Sequence, residues 1–146
     1  CNLADCSMSR LREQFAMILL VEAPGELDAE RLSGALAGPA KELGLGLTVN
    51  PVPQAGAAPP SRPFVVSLYG ADQPGIVFRI SKAMAERNVN IVDLTSHVLG
   101  GQIYAMVLDV DLPQGADPAE LESDLRTVAG EIGVDLTFRS SEAAEL

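Results

Sequence analysis

At 146 residues, with 47% hydrophobic and 21% charged positions, the chain has material for one ordinary domain or two small ones and is not disordered in composition. Ten Lys and Arg against twenty Asp and Glu give a formal charge of −10, and no basic run is dense enough to offset it locally, so direct nucleic-acid binding is not expected. No apolar run reaches the ~20 residues that span a bilayer; the longest, "FAMILLVEAP", ends in Glu22 and Pro24, and with no signal peptide visible the expectation is a cytoplasmic protein without a membrane partner.

In chain order, the first two candidate residues are Cys1 and Cys6. On one strand a spacing of five places them on opposite faces, so they are expected neither to bridge nor to share a metal, and they read as reduced cytosolic thiols. "FAMILLV" (15–21) reads as a strand with Phe15, Met17, Leu19 and Val21 on one face and Ala16, Ile18 and Leu20 on the other. Both faces are apolar, so each is expected to be covered, one of them by another module or another chain. A helix with Leu32, Leu36 and Ala40 follows, and Gly34, Gly38 and Pro39 should weaken or kink it. "KELGLGLTV" (41–49) is expected to close this part with a strand. The stretch 50–63, with five prolines and no hydrophobic period, reads as a semi-stiff linker whose core is 51–61.

"PFVVSLY" (63–69) is β-branched and aromatic and predicts a strand ended by Gly70. From Ile76, the positions Ile76, Val77, Ile80, Ala83 and Met84 share one helical face, which runs out near Arg87 and Asn88. "NIVDLTSHVL" and "QIYAMVLDV" predict two strands joined by a Gly100–Gly101 turn that tolerates positive φ. Pro118 suits the first turn of a helix with the buried stripe Leu121, Leu125, Val128 and Ile132. Gly133 then caps the helix, and "VDLTF" is the last strand. The tail, 141–146, carries nothing identifiable.

An internal repeat organises these elements. Laying 1–24 on 89–113 with one extra residue near Gly100 puts Asn2 on Asn90, Asp5 on Asp93, Met17 on Met106, Leu19 on Leu108, Val21 on Val110 and Pro24 on Pro113. Leu32 then falls on Leu121, Leu36 on Leu125, and "KELGLGLTV" on "GEIGVDLTF". The second copy has the order β-α-β-β-α-β, an α+β fold of the ferredoxin-like type: a four-stranded antiparallel sheet with both helices on one face and the first strand between the third and the fourth. The first copy lacks the equivalent of 62–88 and reads as β-β-α-β. Missing a central strand leaves two rows of backbone groups unpaired. The expectation is therefore a truncated chain with a second Asp-x-Pro-Gly loop upstream of Cys1, and the alternative is a gap filled by another chain.

The stretch that could carry chemistry is "YGADQPGIV". Asp72 is a good N-cap residue, and Pro74-Gly75 forms a turn that leaves the first helical N–H groups free for a small carboxylate. An ammonium could be met by Asp72 or Asp93, with Asn90 able to donate and accept. The same residues also suffice as a helix start and, for Asn2, Asp5, Asn90 and Asp93, as pins at strand ends. His97 reads as a surface or interface residue and "DVD" (109–111) as a solvated strand end. Nothing supplies a nucleophile–base pair, a metal cluster or a phosphate-cradling loop, so no enzyme activity, cofactor or metal is expected.

Asp-x-Pro-Gly-Ile, a helix, and Asn-Ile-x-Asp within "GADQPGIVFRISKAMAERNVNIVDLTSHV" resemble the ACT domain, a small regulatory module that binds amino acids. The resemblance covers 62–140 as one complete module and 1–50 as the latter part of another, which in the module's own order holds the second and third strands, second helix and fourth strand. A tandem of such modules with no catalytic or DNA-binding domain resembles the glycine cleavage system transcriptional repressor group. The resemblance implies edge-to-edge pairing, hence at least a dimer, with the effector at the interface against Asp72, Gln73, Pro74, Gly75 and Ile76, and with Asn90 and Asp93 nearby. In the first copy only Asn2 and Asp5 match. Glycine or serine is the implied effector and a regulatory protein the implied partner. Alternatives are an assembly module that has lost its ligand, or a detached appendage of an enzyme such as a folate deformylase or phosphoserine phosphatase.

Overall fold

A computed structural model describes residues 1–52 and 59–141. The middle of the linker (53–58) and the tail from 142 to 146, read above from composition, lie outside the described residues. The chain divides into two compact units, Cys1–Gly56 and Ala57–Leu146.

The first unit holds β1 (Asn2–Leu11), β2 (Gln14–Glu22) and α1 (Ala29–Glu42); the second holds β3 (Ser61–Ala71), α2 (Ile76–Glu86), β4 (Asn90–Leu99), β5 (Ile103–Pro113), α3 (Pro118–Ile132) and β6 (Val134–Ser140). The second unit has the expected β-α-β-β-α-β order, and its sheet runs β4-β5-β3-β6, all antiparallel. β3 is thus central, between the third and fourth strands of its unit. It is two residues longer at each end than the sequence pattern suggests, because pairing with β5 continues from Ser61–Pro113 to Ala71–Ile103.

The period-2 alternation of β3 and β5 turns Phe64, Val66 and Leu68, with Met106, Leu108 and Val110, toward the helices, where all six are buried. Ile76, Ile80, Ala83 and Met84 of α2 close the core from one side. Leu121, Leu125, Ala129 and Ile132 of α3 close it from the other. Two expected members of these stripes sit at their margins. Val77 is 40% exposed, and Val128 is only partly buried, its place in the stripe being taken by Ala129. Pro118 does open α3, Asp117 caps it by accepting from the Ala119 N–H at 2.9 Å, and Gly133 ends it at φ 67°. Gly100 and Gly101, at φ 59° and 75°, make the β4–β5 turn. Arg87 ties the end of α2 to α3 through Glu120 and Asp124, and those hydrogen bonds, Glu120's first, hold its guanidinium pKa above the ordinary value.

The first unit repeats part of this plan, with β1, β2 and α1 in the order of β4, β5 and α3. β1 and β2 pair antiparallel with an irregularity between Leu3 and Asp5, and β4 and β5 pair with one between Ile91 and Asp93, the equivalent place. α1 is capped by Asp28, whose carboxylate accepts from the Arg31 N–H at 2.9 Å. It continues through Gly34, Gly38 and Pro39 to Glu42 as one helix. Pro39 lies in the last turn, so its missing N–H removes a single hydrogen bond, to the Ala35 carbonyl. One expectation fails: residues 45–50 carry no strand. In the second unit the equivalent β6 pairs only with β3. Among the described residues the first unit has no counterpart of β3, so its closing segment lacks the hydrogen-bonding edge that would make it a strand.

Candidate functional site

The turn from β3 into α2 is set by two glycines with different constraints. At Gly70 an added Cβ would lie 2.7 Å from Cγ1 and 3.0 Å from Cα of Val134, so β3 and β6 approach as closely as they do only because no side chain intervenes. Gly75 is the N-cap of α2 at φ 91°, a left-handed conformation that favours glycine, and a Cβ added there would meet nothing within 4 Å. Asp72 does not cap the helix as its residue type suggests. Its backbone N–H instead donates to the Gln102 carbonyl at 2.9 Å, which anchors the loop to the β4–β5 turn. The reason is reach: a cap must stand directly before the first helical residue, and Gly75 occupies that place.

Gly75 has no side chain to accept from the helix, and the first intrahelical bond runs from the Arg79 N–H to the Gly75 carbonyl at 3.0 Å. The N–H groups of Ile76, Val77 and Phe78 therefore precede the ladder and point out of the helix end. Ile76 itself is buried and anchors that end in the core, whereas Asp72, Gln73, Pro74 and Gly75 are exposed. Gln73 is tied down: its side-chain amide donates to the Ile132 carbonyl at the end of α3. The loop is thus fixed at three points, by Asp72, Gln73 and Ile76, around an open glycine. A fixed row of amide donors at the positive end of a helix dipole can receive a carboxylate without first being ordered.

Asn90 and Asp93, expected nearby, are not brought to this loop within the unit. The register sets Asn90 opposite Asp111, level with Pro63, and Asp93 opposite Asp109, level with Val65. The loop begins beyond Ala71, six residues past Val65 and eight past Pro63 along β3, or about 20 and about 26 Å at the rise of a strand. The resemblance implied otherwise, but a helix that returns along the sheet delivers the next strand to the far end. Asp93 stands opposite Asp109 across the strands, and both are exposed.

In the first unit, Asn2 and Asp5 are occupied at a strand end. The Asn2 amide donates to Glu22 at 3.4 Å, and the Asp5 carboxylate accepts from the Cys6 N–H at 2.8 Å, beside the register shift. Cys1 and Cys6 are free and exposed. His97 lies opposite Ala105 and is exposed. Among the described residues, no group of three or more His, Cys, Asp or Glu is placed to hold a metal, and no helix is long and apolar enough to cross a membrane.

What the sequence reading missed is the Gln102 carbonyl and the Ile132 carbonyl as the loop's anchors. Backbone acceptors leave no trace in residue identity; only Gln73, a long donor beside a turn, hinted that something lay within reach.

Known proteins are similar to this chain in sequence and in fold. A UPF0237 protein of Methanopyrus kandleri is 42% identical over 79 residues, which are 53% of this chain and 87% of that protein. The crystal structure of an unknown protein from Galdieria sulphuraria superposes with a TM-score of 0.78 at 25% identity, over 95% of this chain and 81% of that one. A proposed glycine cleavage system transcriptional repressor shares the fold, with a TM-score of 0.68 at 14% identity over 96% of this chain and 82% of its own. Residues 62–139 match the ACT domain, and with the second unit complete and its sheet order as that fold requires, the chain belongs to the ACT domain family.

Proposed function

We propose that the chain is a non-catalytic regulatory protein that responds to a small amino acid, and that its second unit receives the effector's carboxylate at the start of α2. The observation that carries this reading is Gly75: a left-handed N-cap with open space around it, no capping side chain, and the N–H groups of Ile76, Val77 and Phe78 beyond it. Asp72, exposed in the same loop, is the partner for the ammonium group. Glycine and serine are the effectors to try first, as the resemblance to the glycine cleavage repressor group suggests.

Asn90 and Asp93 join this site only from a second copy. β4 is an edge strand. Antiparallel pairing of two β4 edges about a two-fold axis returns the Asn90 end of one copy toward the Leu99 end of the other, the end at which the loop lies. In this reading the effector sits at a homodimer interface and shifts its population by the difference in affinity between two arrangements. A regulatory protein partner reads that shift. If the output is transcription of glycine cleavage genes, the charge of −10 implies that the chain acts on a DNA-binding partner and does not touch DNA itself.

A second reading, assembly without a ligand, is favoured by one observation. Tyr69, Leu99, Ile103 and Val107 stand 51%, 52%, 37% and 45% exposed on the side of the sheet away from the helices. Calorimetric titration of the chain with glycine and serine separates the two. The sensor reading expects saturable binding that Asp72→Ala weakens by about 10- to 100-fold, the loss of one charge-assisted hydrogen bond. A folded chain that binds no amino acid leaves the assembly reading in its place.

A further inference from the structure

On the sheet face of the second unit that looks away from the helices, charge is laid out in rows across the strands. The strand registers align Asp93, Asp109, Val65 and Arg139 in one row, running from β4 through β5 and β3 to β6. Four residues along each strand, they align His97, Ala105, Tyr69 and Asp135 in another. Residues directly opposite on paired strands project to one side, and the alternate positions of β3 and β5 are the buried ones, so both rows lie on the uncovered face. The two outer strands therefore carry opposite charges at matching levels: Asp93 with Arg139, and His97 with Asp135. Within one copy these partners stand three strand spacings apart, about 14 Å, too far to pair. All four are exposed, and none enters an ion pair among the described residues. Asp93 and Asp109 instead face each other across β4 and β5, a like-charge pair that costs stability.

We propose that this face is an interface between two copies of the chain, packed sheet on sheet about a two-fold axis that runs along the strands between β5 and β3. That axis lays β4 of one copy over β6 of the other at the same level. Asp93 then meets Arg139 of the partner subunit and His97 meets Asp135 of the partner subunit, and the symmetry makes each pair twice. Arg139 of the partner subunit also stands beside Asp109, so one guanidinium offsets the Asp93–Asp109 repulsion. In the middle, the small Ala105 receives Tyr69 of the partner subunit, and Ile103 lies over Ala71 of the partner subunit, so the apolar halves coincide. A two-fold axis across the strands would set Asp109 and Asp111 on Ala105 and Ile103, which buries carboxylates against apolar groups with no cation beside them. From Pro63 to Ala71 the face is four strands wide, about 19 by 27 Å. Two such faces bury about 1,000 Å², the lower end for a specific interface, so the association is reversible and depends on concentration. The inference names the partner for the assembly reading and does not rest on amino-acid binding. It is also distinct from pairing of β4 edges, which leaves β6 on the far side of the sheet from the partner. Where the edges pair as well, four copies assemble.

The test is sedimentation equilibrium of the full chain, of Asp93→Arg, of Arg139→Asp and of the double variant. Salt at about 0.15 M screens the repulsion between two chains of charge −10. Each single change sets like charges together at two places and is expected to raise the dissociation constant by about 10-fold or more. The double variant restores both pairs with their signs exchanged and is expected to return within about threefold of the parent. That rescue cannot arise inside one copy, because β5 and β3 separate the two side chains. All four proteins are expected to unfold at the same denaturant concentration when dilute, since both side chains are exposed. A parent that stays monomeric at every concentration overturns the proposal. So does association that Arg139→Asp leaves unchanged, which places the contact at the β4 edge, and so does a double variant no tighter than the singles.

Discussion

Gly70 and Gly75 stand five residues apart, and substitution at each fails for a different reason. A methyl group at Gly70 meets the backbone of Val134, which cannot rotate away as a side-chain tip can. Gly70→Ala is expected to destabilise the second unit by about 1–3 kcal/mol, read as a lower midpoint in denaturant unfolding. At Gly75 space is free but φ is 91°, so Gly75→Ala is expected to cost about 1–2 kcal/mol of backbone strain alone. That strain is why Asp72→Ala is the cleaner probe of ligand binding. Asp72 is exposed, its fold-holding contact is made by its backbone N–H, and the variant should unfold at the same denaturant concentration as the parent. Arg87 adds a point about charge. Its guanidinium pKa is raised by Glu120 and Asp124, so on the alkaline side the tie between α2 and α3 persists through the neutral range and is lost as pH rises through the raised value.

At the scale of elements, the repeat provides matched pairs in which the same side chain has two environments. Leu108 is fully buried on β5, and Leu19, its counterpart on β2, is 45% exposed. Leu108→Ala is expected to cost about 2–5 kcal/mol and Leu19→Ala less than about 1 kcal/mol, measured as midpoints for the two units. Equal losses would mean that β2 is packed as β5 is. The helices form a similar pair. α3 buries four residues and α1 buries none fully, although α1 is capped and periodic. Its helical state rests more on local propensity, so Gly38→Ala, where an added Cβ meets nothing within 4 Å, is expected to add about 0.5–1 kcal/mol to α1. Slower amide exchange confined to residues 29–42 is the readout.

For the molecule as a whole, the two units pose the same problem in different forms, apolar surface without a cover. In the first unit that surface is the cleft between β2 and α1; in the second it is the sheet face around Tyr69, Leu99, Ile103 and Val107, beside the open edge of β4. A homodimer through this edge and face is expected to show a mass that rises with concentration in light scattering. Leu99→Lys, at the exposed end of β4, is expected to shift it toward monomer without changing the unfolding midpoint measured at concentrations where the parent is also monomeric. A monomer at all concentrations would remove the route by which Asn90 and Asp93 reach the loop.

Element order, the repeat and the inward face of nearly every strand and helix were legible in the amino-acid order, because they follow from local rules. Those rules are period 2 for β3 and β5, the +4, +3, +4 spacing of α3, Pro118 and Gly133 at its ends, and the paired glycines at 100 and 101. The lack of a strand and a helix in the first copy was legible too, since an absence of 27 aligned residues (62–88) is visible in one dimension. Which residues share a site was not, because that depends on where the chain returns. Asn90 and Asp93 follow α2 closely in the chain yet lie about 20 Å or more from the loop before it, because a helix crossing back along the sheet exchanges ends. Nor could residue identity show that 45–50 form no strand despite matching β6. A strand is made by its neighbour's hydrogen bonds as much as by its own side chains, and a neighbour's presence is not written in the segment's own residues.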